Sequence, residues 1–325
     1  MGRVLAEDER VSQAAKKKVL DAIVRLGYRP NIVGRALAKG RNLSIGLVAW
    51  ARRNVEDELF SRFLVGIEAS CRQKGYGLNL SISLVKGRDC LEELSPQVFQ
   101  ERRVDGFIIF GADELTESQV EKLVRNDIPL VWLTRHRVQG RICCTFIDLG
   151  EVYYTAVKHL FDVGCRKIGF MAGDLDLETD RQGLEGFRRA IRDFGLPERK
   201  NWIAESKYQS ETVIANARRI LSGPDRPDGI VAAEDLVANS VLHVCRRLGL
   251  GVPDDVAIIG FFDRILSRHT DPPLSTVTLP WQEIGGRAAD MLVELCEGDK
   301  IKDFVNKTWN PSVIKRGSTD RKAIG

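Results

Sequence analysis

The sequence predicts an α/β protein built as two doubly wound parallel-sheet lobes, preceded by a short basic helical segment. Three observations carry that expectation. From Ser44 onward, short apolar runs alternate with amphipathic stretches at helical spacing, an order that demands parallel strands covered on both faces. About ten such units follow one another with short connections, which suits two sheets better than one. A chain of 325 residues is also long enough to bury more than one core.

Residues 13–26 read as a helix. Ser12 stands as its N-cap, and Ala15, Val19, Ala22, Ile23 and Leu26 form an apolar stripe. Gly27 sits where a left-handed C-cap belongs, and Pro30 forbids continuation. A second helix over 31–38, capped by Asn31, is short enough to order only against a partner chain or DNA. The first buried strand covers 45–48, followed by a helix over 60–75, strands over 78–84 and 104–110, a helix over 117–126 and a strand over 130–133. After Asp148 a helix runs to Val163. Then come a strand over 167–171, a helix over 180–195, a strand over 202–205 and a helix over 210–222. A strand over 229–233, a helix over 235–248 and a strand over 256–261 continue the alternation.

Composition excludes several classes. Hydrophobic content of 43% and charged content of 29% are ordinary for a globular protein, and no apolar run approaches the roughly 20 residues that span a bilayer. The start is charged and lacks the apolar core of a secretory signal, so the chain is expected in the cytoplasm, without membrane contact. Seven cysteines without CxxC spacing point to free, mostly buried thiols. The vicinal Cys143–Cys144 pair and four scattered histidines give no metal-ligand pattern. No glycine-rich phosphate loop is present, and no cofactor is expected.

Charge is unevenly placed. Residues 1–44 hold ten Lys/Arg and four Asp/Glu, while the whole chain carries only +4. A basic arm on a near-neutral body is the electrostatic footprint of phosphate contact, although a solvated tail has the same composition.

Several motifs, in order, carry a resemblance over nearly the whole chain. They include Gly27-Tyr28-Arg29-Pro30-Asn31, Arg35-Ala36-Leu37 and Gly40-Arg41, then Gly66-Ile67-Glu68 and Arg103-Val104-Asp105-Gly106. Gly164-Cys165-Arg166-Lys167-Ile168, Leu184-Glu185-Gly186-Phe187, Val252-Pro253-Asp254-Asp255-Val256, Asp271-Pro272-Pro273-Leu274-Ser275-Thr276 and Arg316-Gly317-Ser318-Thr319 follow. The chain resembles the LacI/GalR family of transcriptional regulators. That resemblance implies a core like the periplasmic sugar-binding proteins, with three crossovers near Asp148, Leu279-Pro280 and Trp309-Pro311. It implies a partial helix-turn-helix headpiece over 1–30, a hinge helix and linker over 31–43, and an effector-binding and dimerisation core over 44–325. Lobe 1 would take about 44–148 and 281–309, and lobe 2 about 149–279 and 310–325.

The resemblance further implies a homodimer on palindromic operator DNA, with a small molecule, a sugar among the candidates, in the cleft at the carboxyl ends of the strands. Family members usually begin with about twenty more residues that carry the base-reading helix, so the headpiece is expected to be truncated here. A late start assignment, a shortened chain or a real loss each account for it. DNA contacts would come from Arg3, Ser12, Tyr28, Asn31, Arg35, Ala36, Leu37, Lys39 and Arg41, with Leu37 as an apolar wedge at a base step. Lys16, Lys17 and Lys18 would add salt-dependent affinity.

Effector contacts are expected from Arg181, Tyr208, Glu234, Asp235, Phe262, Asp263, Leu279 and Trp281. The pocket departs from the family pattern. Gly183 stands where an Arg commonly precedes Leu-x-Gly-Phe, Glu234-Asp235 replaces Asn-Asp, and Phe262 replaces a ligand-contacting carboxylate. Rings at 208, 262 and 281 remain available to stack on a pyranose or an apolar ligand, or Phe262 fills the pocket. The helix over 60–75, with Phe63, Leu64 and Ile67, is either a dimer face, a cover for its own sheet, or both. The alternative function is a cytoplasmic small-molecule-binding protein that has lost DNA binding. An enzyme is the weakest reading, because Asp148, Asp235 and Asp263 have neither a nucleophile–base partner nor a metal cluster.

Overall fold

The computed structural model describes residues 12–25, 41–50, 58–83, 104–110, 129–133, 143–145, 147–298, 305–306 and 309–321. The short helix over 31–38 and the helix over 117–126 lie outside the described residues, as do Arg3, Tyr28, Asn31, Arg35, Ala36, Leu37 and Lys39. The chain forms two compact units, Met1–Thr145 with Gln282–Asn306 and Phe146–Trp281 with Lys307–Gly325. It therefore passes from one unit to the other three times.

Unit 1 holds a sheet of six strands: β1 (Ser44–Trp50), β2 (Gly77–Ser83), β3 (Gly106–Phe110), β4 (Leu130–Leu133), β5 (Cys143–Thr145) and β11 (Val305–Asn306). Their order is β11-β5-β4-β3-β1-β2, with every pairing parallel. The described helices of this unit's stretches of chain are α1 (Gln13–Arg25), α2 (Glu58–Gln73) and α7 (Trp281–Glu297), of which α7 begins at the crossover. Helix α2 turns Phe60, Phe63, Ile67 and Cys71 inward, and both phenylalanines pack on Phe110 at about the same centroid distance, 5.6 and 5.5 Å. Phe63 and Ile67 thus cover their own sheet. Leu64 is half-buried, and Val65 is the outward apolar residue of α2. Glycine lets α2 and α7 cross closely: a Cβ on Gly66 would stand 1.9 Å from the Gln282 carbonyl oxygen, and one on Gly285 would stand 2.4 Å from that of Phe63.

Unit 2 repeats the plan with β6 (Ile168–Ala172), β7 (Ile203–Glu205), β8 (Gly229–Ala232), β9 (Ala257–Phe261), β10 (Ser275–Thr278) and β12 (Ser312–Ile314). The order is β12-β10-β9-β8-β6-β7. All pairings are parallel except β10 with β12, which is antiparallel. The sheet is therefore not purely parallel: its edge strand comes from the last pass of the chain, which enters in the opposite direction. Strands β6, β8 and β9 are buried along their full length, as strands covered on both faces must be.

Helices α3 (Leu149–Asp162), α4 (Glu178–Asp193), α5 (Ser210–Leu221) and α6 (Asp235–Leu248) flank this sheet. Asp148 caps α3 by accepting from the Glu151 amide at 3.1 Å. Gly249 ends α6 in the left-handed region, with φ 70°. The six described cysteines are free thiols, and all but Cys296 are buried. Burial pushes the Cys71 and Cys143 thiols up to about 11 and those of Cys165, Cys245 and Cys296 to about 12, so they are inert packing groups rather than redox nucleophiles.

Candidate functional site

At the amino-terminal end, Ser12 Oγ accepts from the Ala15 amide at 3.4 Å and caps α1. Lys17 and Lys18 are exposed on that helix, and Lys16 is half-buried. Arg41 donates from Nη2 to the Glu297 carbonyl at 3.1 Å, a cation at the C-terminus of α7. Beside it, Asp105 accepts from the amides of Asn42 and Ser44 at 2.8 and 3.3 Å. Arg41 is thus held by its own unit.

All the sequence-predicted effector residues lie in unit 2, and all but Arg181 follow the carboxyl ends of its strands closely enough to share an edge. The segments are 206–208 after β7, 233–235 after β8, 262–264 after β9 and 279–281 after β10. Strand β6 lies between β7 and β8, the reversal of strand order at which open α/β sheets bind ligands. The backbone there is unusual. Lys207, Tyr208, Phe262 and Asp263 have φ of 47°, 56°, 101° and 55°, four of the five described non-glycine residues in the left-handed region. Each such residue costs on the order of 1–3 kcal/mol, and strain of this kind clusters at binding sites.

Each polar side chain of the edge has an internal partner. The Tyr208 hydroxyl donates to the buried Asp180 carboxylate at 2.8 Å, which also accepts from the Asp174 amide at 2.7 Å. Gly173 lies beneath them, where a Cβ would stand 2.2 Å from the Tyr208 hydroxyl. Glu234 Oε2 accepts from Arg264 Nη2 at 2.8 Å, with side chains only 11% and 13% exposed. The Arg264 guanidinium lies 5.4 Å from the Phe262 ring centroid. Phe262 stacks on Phe261 at 4.1 Å and meets Trp281 at 5.6 Å, while Trp281 Nε1 donates to the Phe262 carbonyl at 3.3 Å. Trp281 and Leu279 are buried. Asp263 accepts from Arg268 Nη2 at 3.0 Å and from Arg316 Nη2. Arg181 is exposed and donates to the carbonyls of Leu175 and Asp176 at 2.9 and 2.8 Å, so it secures a loop of its own helix.

Gly183 has a steric reason. A Cβ there would stand 2.4 Å from the Tyr153 ring, and Tyr153 is itself buried with its hydroxyl donating to the Ala233 carbonyl at 3.0 Å. No side chain fits. Sequence reasoning missed Asp180, Arg264, Arg268 and Arg316. Arg316 opens a motif that was visible, Arg316-Gly317-Ser318-Thr319, but nothing local connects it to Asp263.

Asp235 is fully buried at the start of α6. Its carboxylate accepts from Thr276 Oγ1 at 2.8 Å and from the Arg264 amide at 2.7 Å. Burial nevertheless pushes it from 3.8 up to about 6. A carboxyl raised in the folded state stabilises below its unfolded value, and that contribution disappears as pH rises through the folded one, here about 3 kcal/mol. The stability of the wild type relative to Asp235→Asn is therefore expected to fall by about that amount between about pH 4 and about pH 7. Urea melts of both proteins across the range check it, and a constant difference refutes it.

Residues 157–319 match the profile of the periplasmic binding protein-like domain. Over 325 residues the chain is 30% identical to the HTH-type transcriptional repressor PurR of Photobacterium profundum, covering 98% of this chain and 93% of that protein. It is 31% identical over 306 residues to catabolite control protein A of Priestia megaterium, covering 94% and 90%. The chain belongs to the LacI/GalR family. Among solved structures, the transcriptional regulator CelR–cellobiose complex matches this LacI/GalR chain with a TM-score of 0.74 at 23% identity, over 97% of this chain and 94% of that one, a likeness of fold. The LacI/GalR relatives are regulators and not enzymes. Among the described residues no cluster of three metal-ligating side chains occurs, and no helix is long and apolar enough to cross a membrane.

Proposed function

We propose that this LacI/GalR regulator is a repressor that binds palindromic operator DNA as a homodimer and changes its DNA affinity when a small molecule occupies the carboxyl edge of unit 2. The observation that carries the effector reading is the convergence there of strained backbone with largely buried, mutually paired charges. Strain at one edge of a sheet is retained where a ligand is recognised. Ligand binding shifts the population between two arrangements of the core, and the DNA segment responds.

In this reading the basic arm holds phosphates through Lys16, Lys17 and Lys18. Arg3, Tyr28, Asn31, Arg35, Ala36, Leu37 and Lys39 approach the duplex, with Leu37 at the central step. Ser12 and Arg41 serve this arm by capping α1 and by tying the linker to α7. The effector stacks on the Phe262 and Tyr208 rings, and a pyranose is one ligand shape that fits such faces. Cellobiose, named with the CelR structure, is a reasonable first sugar.

The test is fluorescence anisotropy on palindromes taken from upstream of the protein's own gene, at two salt concentrations. It compares this chain with a version extended by the upstream codons, each with and without a panel of sugars. Specific binding that a panel member strengthens or releases supports the reading. Binding that stays at the nonspecific, salt-sensitive level in both chains refutes it and leaves a ligand-binding protein without DNA recognition.

A further inference from the structure

Glu234 and Phe262 present a carboxylate and a ring face to one guanidinium. The carboxylate of Glu234 follows β8 and the ring of Phe262 follows β9. Carboxylate and ring face give a guanidinium or ammonium group a charge-assisted hydrogen bond and a quadrupole to sit against. In this structure the group between them is the chain's own Arg264, 2.8 Å from Glu234 Oε2 and 5.4 Å from the Phe262 centroid.

Local charge favours a cation there. Glu234 and Asp235 are adjacent in sequence, and the Arg264 amide hydrogen-bonds Asp235 at 2.7 Å. One carboxylate thus binds the guanidinium of Arg264 and the other its backbone amide. The amino terminus of α6 adds only about half a positive charge, and the nearby Arg268 and Arg316 are both engaged by Asp263. The backbone that delivers Arg264 is also strained, since Phe262 and Asp263 immediately before it are both left-handed. An arginine has a long, flexible stem and can leave for solvent while its backbone amide keeps its bond to Asp235.

Resting on the reading that this edge is the effector site, we propose that Arg264 is a tethered stand-in for a cationic effector, whose guanidinium or ammonium group displaces it from between Glu234 and Phe262. A tethered competitor acts at an effective concentration in the millimolar range. A cation is therefore admitted only if it outbids that concentration, and removing Arg264 exposes the receptor.

The experiment is calorimetry and thermal melting of the full chain with methylguanidinium chloride, against sodium chloride at matched ionic strength. Arg264→Ala is expected to melt below the wild type and to recover with the cation. It should bind methylguanidinium at least about tenfold more tightly than the wild type does, and Arg264→Ala/Glu234→Gln should lose the response. Equal responses from the single and double variants overturn the proposal, as does a single variant that binds no better than the wild type. If Arg264→Ala fails to fold, the wild-type chain decides: the cation should shift the emission of Trp281, which meets Phe262, with Trp281→Phe as the blank. No shift at saturating concentration overturns it. Neither readout uses DNA, so a cation that binds here but leaves operator affinity unchanged in the anisotropy test supports this inference and refutes effector control. A neutral sugar that binds with Arg264 in place does the reverse.

Discussion

Gly186→Ala is expected to destabilise unit 2 by at least about 3 kcal/mol, because the methyl group has nowhere to go. Its Cβ would stand 2.1 Å from the Gly150 carbonyl oxygen and 2.3 Å from the Gly150 Cα. Both are backbone atoms of α3, so no rotamer change relieves the overlap, and α3 and α4 must move apart. That separation disturbs α4, whose Phe187 is buried and stacks on Phe170 of β6 at 4.9 Å. Gly223→Ala is the control, since a Cβ there meets nothing within 4 Å; it is expected to stay within about 0.5 kcal/mol of the wild type. Equilibrium urea unfolding of both variants measures the difference. A Gly186→Ala protein as stable as Gly223→Ala would show that the helices do not cross as closely as described.

Asp263→Ala is expected to cost about 3–5 kcal/mol, the cost of removing one member of a buried ion pair and leaving the other charged. Asp263 and Arg316 side chains are 9% and 14% exposed. Arg316 is further held by its Nη1 bond to the Leu274 carbonyl at 2.8 Å and by its amide bond to Ser275 Oγ at 2.8 Å, so it cannot swing out without breaking those contacts. Arg268, the other partner, is 57% exposed, and Arg268→Ala is expected to cost less than about 1 kcal/mol. The contrast between the two variants, read from their melting temperatures, identifies which pair holds the edge. Similar small losses in both would mean that Asp263 is not a structural anchor and is free to serve a ligand.

Much of the fold was legible because its signals are local. The helix over 235–248 is read from the sequence with its observed bounds, Asp235–Leu248. The reason is physical: its apolar stripe, its acidic first turn and Gly249 after its last turn all agree. Strand β9 is likewise a continuous apolar run closed by the turn residues beyond it. Strand β5 has only three residues, too few to show a period, and it went unread. The alternation read from the sequence likewise ends before β10, α7 and β12. Their roles depend on where the chain returns.

The site divides the same way. Tyr208, Glu234, Asp235, Phe262, Asp263 and Trp281 are legible as candidates because each follows a strand or matches a motif. Their partners are not. Tyr208 meets Asp180 across 28 residues, Glu234 meets Arg264 across 30, and Asp263 meets Arg316 across 53. No spacing rule connects residues so far apart, because the sheet order, not the chain order, brings them together. The departures at 183 and 262 were legible as departures only. That Gly183 yields its space to Tyr153, and that Phe262 presents a face to Arg264, are facts of packing.

The triple passage between units has a consequence for biosynthesis. When residue 145 has been made, unit 1 still lacks α7 and β11, and when residue 281 has been made, unit 2 still lacks β12 and the segment that carries Arg316. Neither half can close while the ribosome is at work on its first stretch. Asp263 waits for Arg316, and Ser275 waits for the Ser318 and Thr319 hydroxyls that bond to its amide and side chain. A nascent chain stalled before residue 307 therefore carries an unfinished carboxyl edge in unit 2. Quality control by proteases and chaperones would meet such chains as open, apolar sheets, and only a chain translated through its final pass could regulate anything.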